Sequence, residues 1–127
     1  MILNMEVNHT IIQVELIPGS SSEALAELLR EGPMTLPMKD YAHMEKFGDL
    51  GVRLPRNDQH ITTKAGDVIL SEGNLLVIYY APNTWNFTRL GRVINMTEKE
   101  LKKVLGKGNI TATLTCLLYT SDAADDR

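Results

Sequence analysis

From Ile2 to Leu114 the apolar residues come in short β-branched or aliphatic runs, each stopped within a few residues by Gly, Pro, Asn or Asp. This punctuation is the strongest constraint on the fold, because runs this short suit strands. The extreme case is Leu75-Leu76-Val77-Ile78-Tyr79-Tyr80, almost fully apolar, which reads as a strand buried on both faces. Thr10 to Ile17 instead alternates Ile12, Val14 and Leu16 against Gln13 and Glu15, the mark of a half-buried strand. With Ile2, Met5 and Val7 before it and Asn8-His9 between, it reads as a hairpin.

Only two stretches break the strand pattern. Ser20 with Glu23 three residues on fits a capping box, and Ala24, Leu25, Leu28 and Leu29 form one apolar stripe until Gly32-Pro33. Thr97 caps a second helix whose apolar side is Leu101, Val104 and Leu105, ended by Gly106 and Gly108. Between them, Met34 to Lys39 reads as a strand, Asp40 to Met44 as a connection, and Lys46 to Leu54 as a strand with a bulge or turn inside. Pro55 to Lys64 reads as a long polar loop, and Pro82 to Asn86 as another loop carrying the only tryptophan, Trp85. Val68 to Leu70, Thr88 to Ile94 and Ile110 to Leu114 are further strands. Seven or eight short strands interrupted by two helices point to a small barrel with a helix at each end.

With 127 residues, the chain suits one domain, and 43% hydrophobic against 23% charged residues is ordinary globular composition. A net charge of −3 gives no basic field for nucleic acid or acidic lipid. No apolar run approaches membrane-helix length, and the opening residues carry no secretory pattern, so the expectation is a cytoplasmic protein without nucleic-acid or membrane partners. The last residues stand apart. The eleven from Cys116 to Asp126 resemble an in-frame translation of a transposase end joined to a sequencing-library adapter. The expected domain is therefore residues 1–115, with 116–127 a non-native disordered tail. Cys116, the single cysteine, lies in that tail and carries no chemistry in this reading.

The order of Ala65-Gly66-Asp67-Val68, Asn74 to Tyr80, Leu90-Gly91-Arg92-Val93, a short helix and Gly106-Lys107-Gly108-Asn109-Ile110-Thr111 resembles the bacterial cyclophilin-like domain family of uncharacterised proteins. The first half, with its hairpin, helix, Met34-Thr35-Leu36 and Glu45-Lys46 before a segment ending in Leu54-Pro55, is similar to that family's layout. The resemblance implies a mainly β fold, a closed eight-stranded cyclophilin-like barrel with two short capping helices. It also raises peptidyl-prolyl isomerisation. There a guanidinium hydrogen-bonds the prolyl amide and weakens its partial double bond. Laying Gly51-Val52-Arg53-Leu54-Pro55 over the cyclophilin arginine segment puts Arg53 in the catalytic position. The Phe-His expected before it is Gly51-Val52, and the glutamine-glycine-glycine stretch after it is replaced by Asn57-Asp58-Gln59-His60. A pocket floor has to come from Tyr79, Tyr80, Trp85 or Phe87, which occupy unmatched positions.

Other chemistry finds little support. His9, His43 and His60 lack metal-ligand spacing, no Gly-x-Ser-x-Gly elbow is present, and no glycine pattern cradles a phosphate. No metal and no cofactor are expected. The basic stretch Lys99, Lys102, Lys103 and Lys107 is diluted by Glu98 and Glu100 and reads as a solvated helix face. Aromatics with arginines nearby favour a peptide or small ring compound. The expected ligand residues are Tyr80, Trp85 and Arg89, with Glu45 and Arg92 as an internal ion pair or as cleft-lining groups. The leading reading is a domain that binds a peptide or small molecule in a barrel-side cleft. The alternative is an isomerase acting through Arg53.

Overall fold

The computed structural model describes residues 1–117. Its elements are β1 (Ile2–Val7), β2 (Thr10–Leu16), α1 (Ser20–Leu29), β3 (Met34–Tyr41), β4 (Glu45–Asp49), β5 (Gln59–Thr62), β6 (Asp67–Ser71), β7 (Leu75–Tyr79), β8 (Thr84–Val93), α2 (Glu98–Leu105) and β9 (Ile110–Leu117). Eight strands run in the order β2-β1-β9-β3-β4-β7-β6-β8, and pairing of β8 with β2 closes them into an antiparallel barrel. β5 lies outside the circuit and pairs only with the first half of β8. No described helix is long and apolar enough to cross a membrane.

The alternation read from the sequence becomes inside against outside. Leu3, Met5 and Val7 of β1, Ile12, Val14 and Leu16 of β2, and Ala112 and Leu114 of β9 all enter one buried core. Leu25 and Leu29 of α1, with Leu101 and Leu105 of α2, join it. At the closing seam a Cβ on Gly91 would sit 2.2 Å from the Glu15 carbonyl oxygen, so only glycine lets β8 approach β2 this closely.

Several expectations are corrected. Ser20 does not cap α1: Gly19 holds the N-cap position, with no side-chain cap bond. The serines are used in tertiary bonds instead. Ser22 Oγ donates to the Leu90 carbonyl (3.2 Å), Ser21 Oγ donates to the Pro55 carbonyl (2.5 Å), and Ser20 Oγ accepts from Asn57. Thr97 does cap α2, in a capping box with Glu100. The strand expected over Lys46 to Leu54 stops at Asp49, because the chain then turns to lay Leu50 and Leu54 on the core and bonds their amides to the Asn74 and Gly73 carbonyls. The two expected loops at Pro55 to Lys64 and Pro82 to Asn86 meet one another. Their middles pair as β5 and the start of β8, in a register that sets Ile61 opposite Trp85. Trp85 is therefore a strand residue.

The expected boundary after residue 115 falls inside β9. Cys116 pairs opposite Leu3 and Leu117 opposite Ile2, so these two residues continue the strand. Burial pushes the Cys116 thiol pKa upward. The rest of the proposed tail, residues 118–127, lies outside the described residues.

Candidate functional site

A second apolar cluster sits on the outside of the barrel. Ile69, Val77, Tyr79 and Phe87 are its buried members, with Met44, Phe47, Ile61 and Leu75 packed against them. Its origin is the pleat. Antiparallel register sets Glu45 opposite Tyr79, Phe47 opposite Val77 and Asp49 opposite Leu75. These residues share one face, and their neighbours Lys46, Leu76 and Ile78 point the other way. β5 folds against β8 and carries Trp85 and Phe87 to the same side.

The cluster forms the floor of a cleft of about 390 Å³. Five of the seven aromatic residues in the chain line it: Tyr41, Phe47, Tyr79, Trp85 and Phe87. Tyr41 meets Phe47 edge-on with centroids 6.4 Å apart, and Tyr79 meets Phe87 at 5.7 Å. Trp85, 63% exposed, and Tyr41 stand at the rim. The polar groups are Glu45, Glu72, Ser71 and Asn83. Glu72 comes from the β6–β7 turn, where it adopts φ 55° before Gly73.

Glu45 is only 8% exposed. Burial raises its carboxyl pKa, the Tyr79 hydroxyl hydrogen bond draws it part of the way back, and the Asp40 charge raises it further. The Tyr79 hydroxyl accepts from Asn83 Nδ2 at 3.1 Å. Its own pKa is raised, first by burial, with the charge of Glu45 adding to it. Glu45 thus stands opposite a tyrosine whose hydroxyl Asn83 fixes, at one end of an aromatic surface.

The expected ligand residues divide. Glu45 and Trp85 converge in this cleft; the others do not. Tyr80 lies at the barrel end, on the opposite face from Tyr79. There its hydroxyl donates to Asp40, and burial, followed by that bond, pushes its pKa up to about 12. Arg92 does not pair with Glu45 but with the fully buried Asp67, at 2.8 Å; Arg89 reaches the same carboxylate at 3.4 Å. Asp67 stands at the start of β6, directly opposite Arg92, a register the sequence does not disclose. Arg53 is on no strand. It donates to the Glu72 carbonyl at 2.8 Å and is not among the cleft-lining residues.

Tyr79 and Phe87, expected as pocket-floor residues, do line the cleft, whereas Phe47 and Asn83 escaped the sequence reading. The signal for Phe47 was the pair Glu45-x-Phe47, which period-2 spacing puts on a single face; Asn83, between β7 and β8, gave none. Lys46 escaped as well. It is fully buried on the inner side, where Nζ donates to Asp40 Oδ1 (3.0 Å) and to the Gly106 (2.9 Å) and Gly108 (2.5 Å) carbonyls. It also lies 5.6 Å from the Tyr80 ring centroid. Lys46 thus places an ammonium in the barrel interior, where it satisfies the carbonyls at the end of α2.

A model of the Cyclophilin-like family matches residues 5–115. No curated protein matches the chain in sequence. Among solved structures, a hypothetical protein of Archaeoglobus fulgidus superposes with a TM-score of 0.67 at 17% identity, covering 91% of this chain and 93% of that one. McbB, solved in complex with tryptophan, superposes with a TM-score of 0.62 at 20% identity, covering 89% of this chain but only 44% of McbB. At these identities the likeness shows a shared fold.

Proposed function

Since the chain belongs to the Cyclophilin-like family, we propose that it is a binding domain, working in the cytoplasm, that takes a small organic ligand or a peptide side chain in the aromatic cleft outside its barrel. The observation that carries this reading is the concentration of five of seven aromatic residues around one concavity. A protein gains nothing in its own core from leaving Trp85 and Tyr41 at a rim. Such faces contribute to affinity when a ligand covers them. The volume falls in the range of small-molecule sites, about 300–1,000 Å³. That a protein of the same fold was solved with tryptophan bound supports an aromatic-sized occupant.

The single tryptophan supplies the test. In a two-dimensional ¹H–¹⁵N spectrum Trp85 gives one indole N–H resonance. Screening small aromatic compounds should produce ligands that move that resonance. Phe47→Ala, which removes a half-buried wall of the cleft, should weaken them about tenfold, the equivalent of roughly 1.4 kcal/mol. Ligands that shift other residues and leave the indole signal unmoved would refute the site. Isomerase activity is not part of this reading, because Arg53 holds a turn carbonyl outside the cleft. Wild type and Arg53→Ala should both show only the background rate in a proline-peptide assay.

A further inference from the structure

We infer that the ligand of this cleft is a cation: a primary amine on an apolar body, its ammonium held by Glu45 and its body laid over the aromatic floor. The inference rests on the binding reading above and specifies its chemistry.

The first support is charge. The cleft lining, among the described residues, contains two carboxylates, Glu45 and Glu72, and no lysine, arginine or histidine. Among the described residues every ion pair leaves Glu45 out, although Asp40, Asp58 and Asp67 each have a cationic partner. A carboxylate that is 92% removed from solvent by its 8% exposure, with no cation beside it, sits in an unfavourable state. A ligand ammonium supplies the missing charge. An anionic ligand would meet two carboxylates of like charge in the lining.

The second support is the surface around the carboxyl. Phe47, Tyr79, Trp85 and Phe87 line the cleft, and aromatic rings attract cations while accommodating an apolar body. The third is positioning. Glu45 stands opposite Tyr79 in the β4–β7 register, Tyr79 is itself fixed by Asn83, and the carboxyl has lone pairs for an N–H donor from the cleft. Carboxylates accept from ammonium in short, charge-assisted bonds.

Three probes of nearly equal shape separate the possibilities: phenethylamine (cationic), 2-phenylethanol (neutral) and phenylacetate (anionic). Each is titrated into the full chain at pH 7 while the Trp85 indole resonance is followed. The amine is expected to bind at least about tenfold tighter than the alcohol, a margin of roughly 1.4 kcal/mol, and the anion weakest. Glu45→Gln should remove the preference for the amine and leave alcohol binding within about twofold. Glu31→Gln, exposed and outside the cleft lining, guards against a merely general effect of charge and should keep that preference. Equal binding of amine and alcohol to the wild type overturns the inference while leaving the cleft a binding site. So does an amine preference that survives in Glu45→Gln. No response to any of the three refutes the cleft as a binding site, and the inference with it. If Glu45→Gln fails to fold, the wild-type ranking of the three probes still decides.

Discussion

Glu45 and Lys46 are adjacent in sequence and opposite in fate. The β4 pleat sends Lys46 into the barrel, where a carboxylate and two helix-end carbonyls surround its ammonium. It sends Glu45 to the outer cleft, opposite Tyr79, where no lysine, arginine or histidine lines the cleft among the described residues. Tyr80 and Tyr79 repeat the division at the neighbouring strand, the first closing the interior network, the second facing the cleft carboxyl. The lesson is that burial alone does not separate structure from function. Both charged side chains are nearly inaccessible. What differs is whether the protein itself completes their bonding. A completed group holds the fold; an incomplete one at a concave surface has capacity left for something else.

Substitution should expose the difference. The largest effect is expected from Lys46→Ala, which leaves Asp40 without its cation and the end of α2 without its donor. Removing one partner from a buried pair costs about 3–5 kcal/mol, read as a drop in the urea midpoint. A loss below about 1 kcal/mol would mean that the interior network is not holding that end of the barrel.

A second comparison uses pH, because the two carboxyls shift in opposite directions. Burial acts to raise the Asp40 pKa, but the Tyr80 hydrogen bond and Lys46 outweigh it and leave the pKa lowered. Its contribution to stability is therefore full above its unfolded value, near 3.8, and is lost as pH falls through the folded one. Glu45 is raised, so the folded state binds its proton more tightly than the unfolded state. Its ionisation costs stability as pH rises from about 4.5 through the folded value. Asp40→Asn should thus be less stable than wild type at neutral pH and converge with it in acid. Glu45→Gln should be more stable than wild type at neutral pH and also converge in acid. Midpoints of denaturant unfolding between pH 3 and 7 check both. Two variants deviating with the same sign would show that the faces do not differ as described.

The smallest stability change is expected at the rim. Trp85 is 63% exposed, so Trp85→Ala should move the unfolding free energy by no more than about 0.5 kcal/mol. The same variant should lose most binding of aromatic amines, measured by calorimetry since the indole reporter is gone. A large loss of stability would reassign Trp85 from ligand surface to core.

Much of the barrel was legible because strand alternation is a local property. Leu3, Met5 and Val7, or Ile12, Val14 and Leu16, declare a buried face without reference to any partner. The α2 cap was equally local, since Thr97 and Glu100 satisfy one another three residues apart. The α1 cap was misread because its serines have better partners far along the chain, at Pro55, Asn57 and Leu90. Residues 55–64 and 82–86 read as loops for the same reason. Polar segments show no alternation, and their pairing as β5 with β8 is a contact across more than twenty positions.

The amino-acid order by itself determined that Glu45 and Phe47 share a face, that Lys46 shares the other, and that Tyr79 and Tyr80 part in the same way. A period of two residues requires it. Which face became the interior was decided only when the strands closed into a barrel. Closure sets register between strands distant in sequence, and register alone brought Glu45 beside Tyr79, Arg92 beside Asp67, and Trp85 to the rim of a cleft.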